Sequence, residues 1–436
     1  MIDRYDFRYT LAKIPVNTAL RLNFRKLVFI GKKENVSKKR AIIFAPNHRN
    51  ALIDALMLVF SSYHLKQIVF LARADIFKKS FVAWLLKGMR IMPVFRIRDG
   101  KDNLDKNNEI FDNAARILHK NNPIALFPEA RHNPRQSLLP VQKAVPRIIL
   151  PTEASVDFQL RSQIVPVSIY YRDMFGLLSD AYITFGSPIE VSDYKDIYYE
   201  NPVLAINQLR QELEKRLKSM VVDIWNDEFY DEYCHAIDWN GDRITRKRFP
   251  GRKDGFLQAA LYTVRKLDEI YENDRVEFDR KIAGFREAHT LLKEQGLTSK
   301  DRIWEPSSGS NLFIRFTALI LSAPVAFLGL LNGIFPILIN KKLSGLFKDK
   351  QFIPSARYAS GLFFIPIFNL IQSLIVGIVT KNWLLSLGYF ILMPLIFYFG
   401  LYWRKWFKAA QRDNKVRRFK KQHPTIWSRV LEMIRL

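Results

Sequence analysis

The stretch AIIFAPNHRNALID, residues 41–54, decides the fold. It opens with a short apolar run of the kind that buried strands use and closes with residues apolar enough to begin a helix. Pro46 and Asn47 mark the junction between the two. A carboxylate in a first helical turn can accept one ring N–H of a loop histidine and leave the other nitrogen free as a base for a hydroxyl. The stretch therefore predicts that His48 and Asp54 meet at a strand-to-helix junction.

The first half of the chain alternates short apolar runs with helical patterns. Strands are expected near residues 27–30, 41–45, 68–72, 91–95, 124–127, 164–169 and 181–186. Between two of these runs, Asn103 to His119 repeats apolar residues along one helical face. Alternation of this kind predicts an α/β fold, in which a sheet is covered by helices.

From about residue 195 the pattern becomes helical and charged. Long helices are expected over residues 203–224 and 257–295, with mostly loop over residues 225–256. The predicted domains are a sheet domain over residues 1–195, a helical extension over 196–305, and a membrane region with a basic tail over 306–436.

Composition leaves two kinds of partner open. A formal charge of +26 with 48% hydrophobic residues fits either a nucleic-acid binder or a protein pressed against anionic lipid. Residues 316–339, 358–380 and 382–402 contain no charged residue. Each segment is long enough to cross a hydrocarbon core of about 30 Å, which takes roughly 20 helical residues. The sequence therefore predicts a membrane protein and disfavours nucleic-acid binding.

The basic residues that flank these segments predict an orientation. Lysine and arginine cluster between the first and second segments and again after the third, so both flanks are expected on the cytoplasmic side. The second and third segments would then form a hairpin through the cell (inner) membrane. The first segment, interrupted by proline and glycine, either dips in and returns or spans. The charged amino terminus does not resemble a signal peptide, so the sheet domain is expected in the cytoplasm.

Cysteine usage and nucleotide motifs exclude several classes. The single cysteine, Cys234, excludes a disulfide within the chain and any zinc-finger spacing. A glycine-rich loop of the Walker type and a Gly-x-Ser-x-Gly elbow are both absent from the sequence. Neither a metal nor a bound cofactor is expected.

Four polar clusters follow predicted strands in a fixed order. After His48 and Asp54 come GMRIMPVFRIR at residues 88–98, FPEARH at 127–132 and IVPV at 164–167. As a set they resemble the four motif blocks of the glycerophospholipid acyltransferase family, the enzymes that acylate glycerol 3-phosphate and lysophosphatidate. The resemblance covers roughly residues 25–190. It implies the mixed sheet of the acyltransferase fold, with the sheet domain as the catalytic domain.

The resemblance also implies a role for each matched residue. His48 is the general base, and Asp54 orients it and stabilises its charged form. Arg96 matches the block that helps to bind the acceptor phosphate, for which a guanidinium fork is well suited. The residues expected to bind substrate are Gly88, Pro93, Arg96, Pro128, Glu129 and Arg131. Arg131 is either a phosphate ligand or a surface arginine.

Two departures from the family pattern bear on the substrate. Five residues separate His48 from Asp54, whereas the commonest family form has four. This spacing resembles that of the fungal-type glycerol-3-phosphate and dihydroxyacetone-phosphate acyltransferases. After Glu129 the family usually has a glycine, and this chain has Ala130. His132 has a weaker claim to the site.

The resemblance therefore implies an O-acyltransferase of phospholipid synthesis that uses acyl-CoA or acyl-carrier protein as donor and glycerol 3-phosphate as acceptor. Lysophosphatidate or another lysolipid is the alternative acceptor. A catalytically silent lipid-binding membrane protein is a second class, against which the intact His48, Asp54 and Glu129 argue. The expected partners are the acyl thioester, a phosphorylated glycerol and membrane lipid, with no nucleic acid. Residues 316–402 are expected to anchor the protein rather than do chemistry.

Overall fold

The computed structural model describes residues 6–61, 67–77, 86–94, 105–347 and 349–436. Contacts within the chain define two compact units. The first consists of Met1–Asp223 with Asp349–Tyr358, and the second of Ile224–Lys348 with Ala359–Leu436. The predicted boundary at residue 195 differs from the boundary that these contacts draw.

A single sheet organises the first unit. Its strands are β1 Phe24–Ile30, β2 Ile42–Pro46, β3 Val69–Arg73, β4 Ile91–Val94, β5 Ile124–Leu126, β6 Gln163–Tyr171, β7 Ser179–Phe185 and β8 Ile189–Glu190. The order across the sheet is β1-β7-β6-β2-β5-β3-β4, and β8 also pairs with β6. Strands β6, β2, β5, β3 and β4 run parallel to one another, whereas β7 and β8 run antiparallel to β6, and β1 pairs in parallel with β7. The predicted mixed α/β sheet is confirmed, and the short strand β8 was not anticipated.

Helices cover this sheet. They are α1 Phe7–Asn23, α2 Lys32–Asn35, α3 Ile53–Ser61, α4 Asp105–His119, α5 Ala144–Ala154, α6 Lys195–Glu200 and α7 Pro202–Met220. Helix α7 explains why the unit extends past residue 195. Its residues Leu209, Leu213 and Leu217 recur every four positions, so they form one stripe, and all three are fully buried in the core that contains Ile43 and Ile164.

The second unit is helical. Its helices are α8 Tyr230–Arg248, α9 Gly255–Asn273, α10 Arg275–Glu294, α11 Gly309–Asn332, α12 Ile334–Gly345, α13 Ile353–Thr380, α14 Trp383–Gln422 and α15 Pro424–Met433, of which α13 starts within the first unit. The expectation of a loop over residues 225–256 is wrong because α8 fills much of it. Tyr233, Ile237 and Ile244 are buried along one face of that helix. The acidic first turn and basic last turn of α8 also suit the helix dipole.

Three helical stretches among the described residues are long and apolar enough to cross a membrane. They are Gly309–Asn332, Lys350–Thr380 and Trp383–Gln422, with only 17% of each apolar window buried inside the protein. Pro324 and Gly329 lie within α11 without ending it, whereas Gly333 separates α11 from α12. The first predicted segment is therefore divided between two helices.

Candidate active site

The loop after β2 carries the predicted catalytic residues at the carboxyl edge of the parallel strands, where open α/β sheets bind ligands. Asn47 fixes the start of this loop against β6. Its Oδ1 accepts the Ile169 N–H at 2.7 Å, and its Nδ2 donates to the Ile169 carbonyl at 3.2 Å. The side chain of Asn47 thus continues the pairing of β2 with β6 beyond the end of the strand, which holds the next residue, His48, in a defined position.

The carboxylate of Asp54 accepts several hydrogen bonds from the loop after β2. It lies in the first turn of α3 and is fully buried. Its Oδ2 accepts the backbone N–H groups of Arg49 at 2.8 Å and Asn50 at 2.7 Å, together with His48 Nδ1 at 3.0 Å. Its Oδ1 accepts the hydroxyl of Tyr171 at 2.5 Å. Burial, followed by the neighbouring Asp54, raises the pKa of Tyr171 well above its usual value, so this hydroxyl stays protonated and donates.

The two ring nitrogens of His48 differ in their surroundings, since Nδ1 contacts Asp54 and Nε2 does not. A carboxylate oxygen accepts hydrogen bonds, so Nδ1 of His48 is the donor in the contact with Asp54, and Nε2 is the ring nitrogen left to accept a proton. The ring lies against Phe127, with centroids 3.7 Å apart and planes 16° from parallel, and against His132 at 4.0 Å. The side chain of His48 is 10% exposed. Packing and the Asp54 contact therefore fix the orientation of the predicted base.

Glu129 supports the same loop from β5. Its Oε1 accepts the backbone N–H of His48 at 2.7 Å, and its Oε2 accepts that of Leu139 at 2.9 Å. Burial raises the pKa of the Glu129 carboxyl to about 7, and the two N–H donors oppose that rise. The resemblance implied a substrate-binding role. In the structure both oxygens of this buried carboxylate are engaged by backbone, so Glu129 positions the His48 loop.

The residues beside Glu129 differ in their surroundings. Pro128 is buried and its carbonyl accepts the Gln142 N–H at 2.8 Å, whereas Arg131 is exposed. Ala130 has φ of 58°, in the left-handed region that glycine adopts without strain. This conformation explains why a glycine suits that position in the family pattern. The turn also brings His132 onto the ring of His48, which the sequence alone gave little reason to expect.

The second motif block is only partly described. Gly88 lies just before β4, and Pro93 lies in β4 opposite Ala72 of β3. Arg96 and Arg98 fall outside the described residues, so the phosphate-binding role of Arg96 stays a prediction. Pro166 of the fourth block lies in β6 opposite Ala45.

Several site residues were not indicated by the sequence. Tyr171 is the last residue of β6, and its contact with Asp54 requires β6 to lie beside β2. Phe127 was recognised as a strand end but not as the platform for His48. Ser355, which contacts the same loop, lies far along the chain without any motif around it. Among the described residues, no group of three or more His, Cys, Asp or Glu side chains is arranged to hold a metal ion.

The chain is similar to known proteins over part of its length. Residues 28–170 match the family model described as Acyltransferase. Glycerol-3-phosphate O-acyltransferase 2 of Saccharomyces cerevisiae is 27% identical over 127 residues, which make up 29% of this chain and 16% of the yeast protein. The crystal structure of the 1-acyl-sn-glycerophosphate (LPA) acyltransferase PlsC from Thermotoga maritima overlaps with a TM-score of 0.33 at 18% identity, covering 48% of this chain and 77% of that one.

The matched region contains β2 with the His48 loop, β5 with Glu129 and most of β6. The matches over this region support a glycerophospholipid acyltransferase family for the chain. The part of the yeast relative that it matches is about a sixth of that protein's length.

Proposed function

We propose that this protein is an O-acyltransferase that moves a fatty acyl group from a thioester to a hydroxyl of glycerol 3-phosphate. The observation that carries the proposal is the arrangement of His48, whose Nδ1 lies 3.0 Å from the buried carboxylate of Asp54, so that Nε2 is the ring nitrogen left to accept a proton. A hydroxyl is a weak nucleophile at neutral pH, and a positioned imidazole is the usual side chain for removing its proton.

In the proposed reaction His48 Nε2 takes the hydroxyl proton while the hydroxyl oxygen attacks the thioester carbonyl carbon. The tetrahedral intermediate then collapses, the C–S bond breaks, and the leaving thiolate takes the proton from the imidazolium. An ester and a free thiol result, and no acyl-enzyme is formed. Positioned general bases contribute about 10² to 10⁴ in rate.

Asp54 stabilises the imidazolium during this step. Its carboxylate already accepts four hydrogen bonds, so it has no need to move when the charge forms on His48. The hydroxyl of Tyr171 and the backbone N–H groups hold the carboxylate in place. Asp54 therefore acts through orientation and charge and does not itself take the proton.

Glycerol 3-phosphate is the proposed acceptor for two reasons. The five-residue spacing between His48 and Asp54 resembles the fungal-type enzymes, and the yeast protein that the chain resembles is named for that substrate. Arg96 is the proposed ligand of the acceptor phosphate, and the exposed Arg131 is available to assist it. Lysophosphatidate is the alternative acceptor. The donor is proposed to be acyl-CoA or acyl-carrier protein.

The membrane is the proposed location, with the catalytic unit on its cytoplasmic side. Three long apolar helices and the basic residues around them support this proposal. Inserted helices should hold the full chain in membranes through high salt and an alkaline wash, because screening weakens only surface attraction. Release by salt alone would contradict insertion.

The acceptor assay tests the proposed function directly. Purified full-length protein is incubated with labelled acyl-CoA or acyl-carrier protein and, in separate reactions, glycerol 3-phosphate, lysophosphatidate and other lysolipids. We expect esterification of glycerol 3-phosphate and its loss in His48→Ala protein that retains the wild-type melting temperature. Transfer only to lysophosphatidate would replace the acceptor, and lipid binding without any transfer would refute the enzymatic function.

A further inference from the structure

The first turn of α13 lies against the catalytic loop. Asp349–Tyr358 belongs to the first unit, although the helix that starts in it continues as one of the three long apolar helices. Ser355, only 7% exposed, accepts the backbone N–H of Leu52 on its Oγ at 3.0 Å. The same hydroxyl donates to Oδ1 of Asn50. One side chain of α13 therefore holds two residues of the loop between His48 and Asp54.

These two contacts supply a partner for the Leu52 N–H and a short second contact for Asn50 Oδ1. Leu52 directly precedes α3, where the first N–H groups of a helix have no partner within the helix. Asn50 is fully buried, and its backbone N–H donates to Asp54 at 2.7 Å. Ser355 therefore holds the loop at Asn50 and Leu52, while Asp54 holds it at Arg49 and Asn50. Without the hydroxyl, the half-buried Leu52 N–H would lose its partner, and Asn50 Oδ1 would keep only the longer contact from the Ile53 N–H at 3.4 Å, which is costly.

The same segment also reaches the imidazole through one intervening ring. Phe352 meets His132 edge to face, with centroids 5.6 Å apart, and His132 lies 4.0 Å from the ring of His48. Two further contacts fasten the segment to the first unit. Arg357 donates to the Phe175 carbonyl at 2.9 Å, and the hydroxyl of Tyr358 donates to that of Val16 at 2.6 Å. The segment is therefore held on both sides of Ser355, by Phe352 before it and by Arg357 and Tyr358 after it.

We propose that Ser355 is a positioning residue for acyl transfer, and that the start of α13 completes the active site. This inference rests on the proposed function of His48. Ser355 touches neither substrate nor the reacting atoms. It keeps the loop in the conformation in which Asp54 orients the imidazole. Removing the Ser355 hydroxyl should therefore lower kcat and leave KM nearly unchanged.

The test compares two serine variants of the full chain. Ser355→Ala should lower kcat about tenfold, the factor for one lost hydrogen bond to a buried group, and leave the KM of donor and acceptor within about twofold. Ser373→Ala is the matched control. Ser373 lies on the same helix and is buried, and its Oγ donates only within the helix, to the Leu370 carbonyl at 2.9 Å. Its kcat should stay near the wild-type value.

A second measurement is independent of activity. Hydrogen exchange of the Leu52 amide, followed by mass spectrometry on peptides covering the loop, should speed up about tenfold in Ser355→Ala and stay unchanged in Ser373→Ala. In a double-mutant cycle, Asn50→Ala should lower kcat by a smaller factor in the Ser355→Ala background than in the wild type, because the hydrogen bond between the two side chains is already absent there. If Ser355→Ala fails to fold, Ser355→Cys keeps the shape with a weak donor and acceptor and should show the same defect.

The outcomes separate the two proposals. A fall in kcat with unchanged KM and faster Leu52 exchange supports the role of Ser355. Equal kcat and equal exchange in the two serine variants overturns it. If the wild-type protein transfers no acyl group to any acceptor, the proposed function fails, and the exchange experiment alone then decides whether Ser355 holds the loop.

Discussion

Glu129 gives a prediction about pH that follows from its burial. In the folded chain its pKa is raised to about 7, against 4.5 for the exposed side chain. Between these two values the folded state keeps a proton that the unfolded state has released. The free energy of unfolding therefore falls as pH rises through this window. The difference in pKa corresponds to roughly 3 kcal/mol as an upper estimate, at about 1.4 kcal/mol per unit.

The assay is thermal unfolding of the full chain in detergent between pH 5 and pH 8, with wild type beside Glu129→Gln. For a domain of this size about 1 kcal/mol shifts the melting temperature by roughly 2–4 °C. Between pH 5 and pH 8 the melting temperature of the wild type should therefore fall by roughly 6–12 °C more than that of the variant. The glutamine does not titrate, but it offers only one acceptor to the backbone N–H groups of His48 and Leu139, so it should be less stable at low pH. Parallel pH profiles would refute the reasoning, because the two N–H donors would then outweigh burial.

Three further predictions concern the proposed base, the turn after Glu129 and the proposed phosphate ligand. His48→Ala should lower the kcat of acyl transfer by about 10² or more, and Asp54→Asn should lower it by a smaller but clear factor. Both variants should keep the wild-type melting temperature. An active His48→Ala enzyme would exclude His48 as the base. Ala130→Gly should raise the free energy of unfolding by roughly 0.5–1 kcal/mol, since relief of the left-handed conformation exceeds the entropy cost of glycine, and a lower melting temperature would contradict this. Arg96→Ala should raise the acceptor KM about tenfold or more while sparing the donor KM, with partial recovery in Arg96→Lys; equal effects on both substrates would instead indicate a role in folding.

The central strands β2 and β6 were accessible from sequence because they are buried on both faces. Strands such as β2 and β6 read as continuous apolar runs, which is the pattern of strands in the interior of a sheet. Their order across the sheet was not accessible, because pairing joins segments far apart in the chain. Helix α8 was missed since its charged ends outweigh a stripe of few apolar residues, and only packing reveals which face is buried.

The candidate site divides in the same way. His48 and Asp54 are close in sequence, so one local pattern was enough to pair them. The function of Glu129 as a support depends on β5 lying beside β2, and the contact of Tyr171 depends on β6 lying on the other side of β2. Ser355 lies 303 residues from its partner Leu52. No periodicity or motif can indicate such a contact, because it exists only once the chain has folded.

Along helix α13, Ser355 lies close to the start of the uncharged segment of the same helix. A helix rises about 1.5 Å per residue, so Ser355 precedes the uncharged segment that starts at Tyr358 by only about 5 Å along the axis. With that segment in a bilayer, the imidazole would work at the level of the headgroups. A long-chain acyl donor could then react while its tail stays among the lipids, and a small polar acceptor would arrive from the aqueous side. The few residues from Ser355 to Tyr358 would then set how far the loop that carries His48 can stand from the hydrocarbon.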